Sequence, residues 1–308
     1  MSSKTKFGPS EIFGILPPLT TPFTTDEQID ERGLRAQARF MMDQGVHGIV
    51  SGGSAGEGFA LSTDELRRIV SVTCEEVGDR MPVVAGIIVN STRQAVERAK
   101  AVADLGVSAL QITPVHYIYK TDEESAFQHF KTVAEEVGIP IIVYNVVPWN
   151  YISPKLLVRM MRDIPQVFGV KQSASDVKTM ADLMIMSGPD DRIYAAIDAL
   201  LYPTFALGAH GAISQILSAV PGPCVQLWNA VQSDDHARAR QLHEKLLRLW
   251  NTIYSDNRVA VTKHVQTLQG CPGGLPRAPL PEATPAQKAA VRQPLADLVG
   301  EDCLQKAA

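Results

Sequence analysis

Short apolar segments alternate along the chain with stretches in which apolar residues recur at helical spacing. The apolar segments are typical of strands of four to seven residues. From the second strand onwards, about 19 to 35 residues separate the start of one strand from the start of the next. That interval suits a strand followed by a returning helix. The eight candidate strands are Gly14–Pro18, Gly48–Gly52, Val83–Val89, Ala109–Thr113, Ile139–Asn145, Val167–Gln172, Arg192–Ile197 and Gly211–Ser214.

The intervening helices carry recognisable start and stop signals. The segments 62–65 and 121–124 have the Ser/Thr-x-x-Glu pattern of a capping box, which satisfies the free amides of a first helical turn. Ser153 precedes a proline suited to the first helical position, and Gly138 stands where a helix should end. These signals predict helices over Asp64–Val77, Ala95–Leu105, Ser125–Val137 and a further one from residue 154.

Eight such units predict an α/β protein, a (β/α)₈ TIM barrel over residues 11–218. A doubly wound open sheet is the alternative, but no GxGxxG motif follows the first strand. After residue 218 the alternation stops, and Val225–Ala230, Asp235–Tyr254 and Ala286–Gly300 are predicted to be helical. We interpret residues 219–308 as a C-terminal helical extension packed on the barrel.

Composition and charge narrow the classes of function. The chain has 308 residues, of which 45% are apolar, as in ordinary globular proteins. Lys and Arg number 29 against 33 Asp and Glu, and this net charge of −4 without a dense basic run disfavours nucleic acid and anionic membranes as partners. Four cysteines without a C-x-x-C spacing, and an N-terminus without an apolar core, predict a cytoplasmic protein with reduced thiols.

Lys171 is the first candidate for chemistry, because it ends the sixth predicted strand. Enzymes with this barrel place their reacting groups at the carboxyl ends of the strands. Desolvation there disfavours an ammonium and favours the nucleophilic amine that Schiff-base enzymes use. A lysine that reaches solvent along the rim of the barrel is an equally good interpretation of this position alone.

Tyr144 ends the neighbouring fifth strand, where its phenol could reach the amine of Lys171. A tyrosine can act as general acid and base when its neighbours relay the proton. A tyrosine that only packs in the core is the simpler interpretation, because strands favour aromatic residues.

Two glycine-rich segments follow other strands. The segment 52–58 offers adjacent backbone amides that can form an anion site, although it lacks the phosphate-loop pattern, and Glu57 within it is expected to be structural. The segment 208–214 permits close approach of a ligand to the backbone. His210 in that segment lacks the partner spacing of a metal site, so we predict a structural role for it and no metal or cofactor.

Taken together, these motifs resemble the dihydrodipicolinate synthase / N-acetylneuraminate lyase family over nearly the whole chain. The resemblance implies a homotetramer, built as a dimer of dimers. It also implies a Schiff base between a lysine and the keto carbon of pyruvate or another 2-oxo acid, with an aldehyde as the second reactant. The matching segments are Gly14–Phe23, Gly53–Glu57, Tyr144–Val146, Gly169–Lys171 and Gly208–Ser214.

The resemblance also assigns roles to individual residues. Lys171 matches the lysine that forms the Schiff base, and Tyr144 matches the tyrosine that carries protons to and from it. Ser54 matches the hydroxyl residue that hydrogen-bonds this tyrosine. Ala55 matches the position that binds the pyruvate carboxylate, and Ile213 matches a backbone carbonyl near the bound keto acid.

Three departures from the family pattern bear on the substrate. Ala55 stands where the family has threonine, so one hydroxyl contact to the carboxylate is absent. The loop 147–151 lacks the arginine with which dihydrodipicolinate synthases bind aspartate semialdehyde. In the loop after the fourth strand, His116, Tyr117 and Tyr119 are alternatives for the tyrosine that completes the proton relay in a neighbouring subunit.

These features predict a class I lyase or aldolase that joins pyruvate to an aldehyde, or cleaves such an adduct. The alternatives are a dehydratase of 2-oxo-3-deoxy sugar acids and 4-hydroxy-tetrahydrodipicolinate synthase itself. A binding protein without catalysis is a further possibility, which the pairing of Lys171 with Tyr144 disfavours.

Overall fold

The barrel is built from eight parallel strands that follow one another around a single sheet. A computed structural model describes residues 6–174 and 176–305. The spatial order is β1-β8-β7-β6-β5-β4-β3-β2, and a parallel bridge between Pro18 and Val50 joins the two ends. The strands are β1 Gly14–Ile15, β2 Ile49–Ser51, β3 Val83–Ile87, β4 Ala109–Ile112, β5 Ile141–Asn145, β6 Val167–Gln172, β7 Arg192–Ala195 and β8 Gly211–Ala212.

All eight predicted strands are confirmed, although most are shorter than the apolar runs that predicted them. Those runs continue past the hydrogen-bonded ladder because the loops after the strands are themselves buried, as at Leu16 and Ile88. Each of the eight strands, or the residues directly beside it, contributes at least one side chain to the interior of the barrel, as expected for a packed core. This inner cluster consists of Ile12, Leu16, Val50, Val84, Ala109, Ile142, Phe168, Tyr194 and Ile213.

Helices cover the outside of the barrel, and their capping residues were only partly predicted. The Ser62 hydroxyl accepts from the amide of Glu65 as expected. The predicted cap at Thr121 is wrong, because the helix begins one residue later, where Asp122 accepts from the amide of Ser125. The barrel helices are α1 Glu31–Asp43, α2 Thr63–Val77, α3 Thr92–Val102, α4 Glu123–Val137, α5 Pro154–Asp163, α6 Val177–Met186, α7 Leu201–Ala206 and α8 Gln215–Ala219.

Four more helices follow the barrel and pack against it. Their bounds are α9 Pro221–Gln232, α10 His236–Ile253, α11 Arg258–Leu268 and α12 Pro285–Val299. Helix α11 was not predicted, because most of its buried face is polar or small, including Lys263 and Gln266. Gln266 donates to the carbonyl of Ser218, which fastens α11 to the end of the barrel. The division of the chain after residue 218 stays a prediction.

No helix among the described residues combines the length and apolar character needed to cross a membrane.

Candidate active site

Lys171 and Tyr144 lie side by side at the carboxyl ends of β6 and β5. The two residues are direct partners in the parallel register of these strands. Lys171 is only 4% exposed, and its Nζ lies 3.6 Å from the centroid of the Tyr144 ring, within range of a cation–π contact. Among the described residues, Lys171 has no salt-bridge partner. A buried amine without a salt bridge is costly for a fold, which makes Lys171 a candidate for chemistry.

Ser54 reaches the same centre from the turn after β2. Its Oγ lies 3.3 Å from the phenolic oxygen of Tyr144, so the two hydroxyls form a hydrogen bond. The structure therefore brings Lys171, Tyr144 and Ser54 together, as the sequence predicted. The chain of groups amine, phenol and hydroxyl is suited to moving a proton towards or away from a reacting atom.

The turn that carries Ser54 and Ala55 presents free backbone amides. Turn hydrogen bonds run from the amides of Gly56 and Glu57 back to the carbonyls of Gly53 and Ser54. Within residues 6–174 and 176–305, the amides of Ser54 and Ala55 themselves find no acceptor. Consecutive unpaired amides can form a concave site for an anion.

The glycines of this turn are required by its close packing. Gly52 has φ +78°, and a Cβ on Gly58 would lie 2.0 Å from the carbonyl oxygen of Gly52. Glu57 takes the left-handed conformation without being glycine, with φ 56°. The hydroxyl of Thr21 holds the turn from the β1 side by donating to the carbonyl of Gly56.

The next strands around the barrel, β7 and β8, contribute Tyr194 and Ile213 to the inner cluster. Ile213 follows β8 directly and is fully buried in the inner cluster. Tyr194 on β7 is the register partner of Lys171. Its hydroxyl donates to the carbonyl of Ile12, so this proton is already engaged in a structural hydrogen bond. His210 accepts from the amide of Ile193 through Nδ1, in agreement with the structural role predicted for it.

Asp198 was missed by the sequence analysis, although it follows β7 at the same end of the barrel. One carboxylate oxygen accepts from the amide of Ile216 at 2.6 Å. Burial raises the pKa of Asp198 to about 6, although this amide and the positive charge of Lys171 favour the ionised form. Its position after a strand was the available signal, because carboxyl ends of barrel strands carry the reacting groups.

The loop after β5 folds back towards the centre. Asn145 fixes it by accepting from the amide of Ile152 and donating to the carbonyl of the same residue. The Tyr151 hydroxyl donates to the carbonyl of Ser173, and burial raises the pKa of Tyr151, with the nearby Tyr144 adding to the shift. Trp149 instead points outwards and is 55% exposed.

The loop after β4 exposes its tyrosine side chains to solvent. Tyr117 and Tyr119 are 70% and 76% exposed. Asn90 accepts from the amides of His116 and Tyr117, which fixes the start of the loop. His116 is partly buried, and this burial lowers its pKa. Within the described part of one chain, none of the three alternatives hydrogen-bonds Tyr144.

Comparisons with known proteins identify the family of the chain. The family model for the dihydrodipicolinate synthetase family matches residues 11–298. A 4-hydroxy-tetrahydrodipicolinate synthase of Methanopyrus kandleri is 35% identical over 292 residues, covering 94% of this chain and 97% of the relative.

Solved structures show the same fold. Dihydrodipicolinate synthase of Aquifex aeolicus superposes with a TM-score of 0.88 at 26% identity, covering 93% of this chain and 98% of that one. A prophage protein of the dihydrodipicolinic acid synthase family from E. coli K12, solved in complex with pyruvate, gives the same TM-score, identity and coverage.

These findings confirm the (β/α)₈ barrel and the predicted class of enzyme, a lyase of the class I aldolase type. The chain belongs to the dihydrodipicolinate synthetase family.

Proposed function

We propose that Lys171 forms a Schiff base with the keto carbon of pyruvate or another 2-oxo acid, and that the enzyme makes or breaks a carbon–carbon bond to an aldehyde. The observation that carries this proposal is the placement of the buried, unpaired amine against Tyr144, which in turn bonds Ser54. An amine nucleophile needs a partner that moves its protons, and this arrangement supplies one.

The reaction follows from these groups. The neutral amine of Lys171 adds to the keto carbon, and the keto oxygen takes a proton from Tyr144. The added nitrogen returns one proton to the Tyr144 phenolate, and the phenol passes it to the same oxygen, which leaves as water and creates an iminium ion. The iminium carbon withdraws electrons, so the phenolate can remove a proton from the adjacent methyl group of pyruvate and leave a nucleophilic enamine. The enamine carbon then attacks the aldehyde carbon, the aldehyde oxygen takes the proton from Tyr144, and addition of water to the new iminium ion releases the product and restores the free amine of Lys171 and the phenol. Cleavage runs through the same steps in reverse.

The turn after β2 is proposed to hold the substrate carboxylate. The free amides of Ser54 and Ala55 are its donors, and the carbonyl of Ile213 borders the keto acid on the other side. Ala55 supplies no hydroxyl, which removes one charge-assisted hydrogen bond, worth about 1.5–3 kcal/mol. Binding of pyruvate is therefore expected to be weak compared with that of a threonine-containing site.

The second substrate is proposed to be an aldehyde other than aspartate semialdehyde. The loop 147–151 contains no arginine to bind a second carboxylate, and its Tyr151 lies near Tyr144. A second candidate function is 4-hydroxy-tetrahydrodipicolinate synthase, which condenses pyruvate with aspartate semialdehyde. The names of the relatives favour this candidate. A dehydratase of 2-oxo-3-deoxy sugar acids would use the same lysine.

A homotetramer is proposed from two exposed apolar surfaces. One comprises Tyr117, Ile118 and Tyr119 in the loop after β4. The other lies on α6 and just after α7, where Ile185 is 85% exposed and Leu207 is 44% exposed. Apolar surfaces of this kind commonly mark contacts between proteins, and two separate surfaces allow a dimer of dimers.

Trapping with a reductant tests the nucleophile. The protein is incubated with pyruvate and cyanoborohydride, weighed intact and digested to map the modification. We expect one reduced pyruvate on Lys171 and none in Lys171→Met. Lys178→Met is the matched control, because this exposed lysine on α6 should leave the adduct unchanged. A folded protein that gives no adduct with pyruvate or with 2-oxo-3-deoxy sugar acids would refute the proposal.

Product analysis then separates the candidates. An aldolase acting on a 2-oxo-3-deoxy sugar acid releases pyruvate, whereas a dehydratase keeps the carbon chain intact and releases water. Turnover of pyruvate with aspartate semialdehyde at a rate comparable to that with other aldehydes would establish the synthase instead.

A further inference from the structure

Glu57, which ends the turn carrying Ser54 and Ala55, is a fully buried carboxylate. Its side chain is 0% exposed, and its backbone is in the left-handed conformation. A non-glycine residue in that conformation costs free energy, and so does a carboxylate removed from water. Both costs are tolerated only where the surrounding groups hold the side chain strongly.

Lys263 on α11 provides the opposite charge. Its side chain is 2% exposed, and Nζ lies 2.6 Å from a carboxylate oxygen of Glu57. The other two protons go to the carbonyls of Thr21 and Leu275, at 2.7 and 2.6 Å. All three donors of this ammonium are therefore used, which a buried cation requires.

The second carboxylate oxygen of Glu57 is held from the same extension. It accepts from the backbone amide of Arg277 at 2.8 Å. The Arg277 side chain continues outwards and pairs with Glu65 on α2 at 2.6 Å. Glu57, Lys263 and the Arg277 amide form what we call the buried strap. It joins residues separated by 206 and 220 positions in the chain.

The strap acts on the turn at the point where the free amides lie. The amide of Glu57 bonds the carbonyl of Ser54, so a shift of Glu57 moves the peptide units of Ser54 and Ala55 with it. The same shift would change the 3.3 Å contact between Ser54 and Tyr144.

We propose that the buried strap positions the amides of Ser54 and Ala55 for the substrate carboxylate, so that the C-terminal helices take part in recognition of the 2-oxo acid. This inference rests on the proposed function, because it assigns the free amides to that carboxylate. Glu57 and Lys263 touch no substrate in this scheme and are positioning residues.

The experiment compares two carbonyl compounds, because the strap should matter only for the one with a carboxylate. Pyruvate and hydroxyacetone are each titrated against the protein in cyanoborohydride, and the adduct on Lys171 is quantified by mass. Removal of Lys263 alone leaves an unpaired buried charge, which is strongly destabilising. The main variant is therefore the neutral pair Glu57→Gln with Lys263→Met, and Glu57→Asp is the second variant, which keeps the charge but shortens its reach.

Leu246→Ala provides the matched control. Leu246 is buried on α10, so its truncation destabilises the extension by a cavity without touching the turn. All variants are assayed at temperatures well below their thermal unfolding.

In the double variant we expect the half-saturating concentration of pyruvate to rise about tenfold or more, as when one charge-assisted hydrogen bond is weakened. Trapping of hydroxyacetone should stay within about twofold of the wild-type protein. Glu57→Asp should also raise the half-saturating concentration of pyruvate, and Leu246→Ala should leave the pyruvate titration unchanged.

Two results would overturn the inference while leaving the proposed function intact. One is an unchanged pyruvate titration in the folded double variant and in Glu57→Asp. The other is an equal loss of adduct formation with pyruvate and with hydroxyacetone, which would mean general disorder at Lys171. An absence of any adduct on the wild-type protein would instead refute the proposed function, and the inference with it.

Discussion

The hydrogen bond between Ser54 and Tyr144 predicts that these two residues act as a unit in proton transfer. Tyr144→Phe removes the phenolic hydroxyl but keeps the ring against which Lys171 lies. Loss of a general acid–base group typically lowers a rate by about 10²–10⁴-fold, or roughly 3–5 kcal/mol in activation free energy.

Ser54→Ala is expected to have a smaller effect. The distance of 3.3 Å between the two oxygens exceeds the usual value for a hydrogen bond between hydroxyls, so the bond should be weak. A neutral hydrogen bond contributes about 0.5–1.5 kcal/mol, which corresponds to a rate loss of about 2- to 10-fold. Because Ser54 acts through the Tyr144 hydroxyl, the double variant should be no slower than Tyr144→Phe alone.

Exchange of the pyruvate methyl protons for solvent deuterium, followed by NMR, measures this rate without an aldehyde. The exchange reports formation of the enamine on Lys171, so the identity of the second substrate does not matter. Ser51→Ala is the matched control, because Ser51 is buried on β2 and accepts from Thr73 at 3.2 Å. Any effect of Ser51→Ala on the exchange rate should add to that of Tyr144→Phe.

An additive loss in the Ser54→Ala, Tyr144→Phe double variant would refute the proton-relay argument. It would mean that Ser54 contributes through a contact other than the phenol. A Tyr144→Phe protein that exchanges at the wild-type rate would remove Tyr144 from the mechanism altogether.

Three further predictions concern binding and pH. Ala55→Thr should lower the half-saturating concentration of pyruvate about tenfold or more, whereas Ala55→Val, which lacks the hydroxyl, should not; equal effects would contradict the carboxylate assignment. Asp198→Asn should raise the free energy of unfolding above pH 6, by up to about 3 kcal/mol, with the gain vanishing below pH 4. The reason is that the pKa of Asp198 is raised in the folded state, so the wild-type protein loses stability as this carboxyl ionises. Denaturant titrations that show the same gain at every pH would argue against ionisation of Asp198 as the cause. Burial lowers the pKa of His129 to about 4, so the wild-type protein should lose stability relative to His129→Asn as the pH falls from 6.5 to 4; parallel unfolding curves over that range would exclude the effect.

Local patterns explain why the strands and the proximity of Lys171 to Tyr144 were predictable. A strand buried on both faces reads as a continuous apolar run, and a lysine or tyrosine at its end stands out against that run. Since parallel strands of a barrel end on one face, Lys171 and Tyr144 had to meet once the strand order was correct. Ser54 followed from the resemblance to the family and from the glycines around it.

The buried strap shows what such patterns cannot reveal. Lys263 lies on a helix whose buried face is mixed in polarity, so its sequence predicts neither the helix nor the burial. Glu57 and Lys263 are 206 residues apart, and only packing of α11 against the turn decides that they form a pair. Asp198 is similar, because its raised pKa arises from desolvation by surrounding elements and not from its neighbours in sequence.

The sequence by itself therefore determined the barrel, the number of its strands and the meeting of Lys171 with Tyr144 at one end of it. These depend on hydrophobic periodicity and on short motifs, which are local properties of the chain. The tertiary structure alone decided which groups hold the turn that carries Ser54 and Ala55, which carboxyl is desolvated and which aromatic side chains face outwards. Those outcomes depend on contacts between distant segments and on the loss of water around charged groups, and no local pattern records either one.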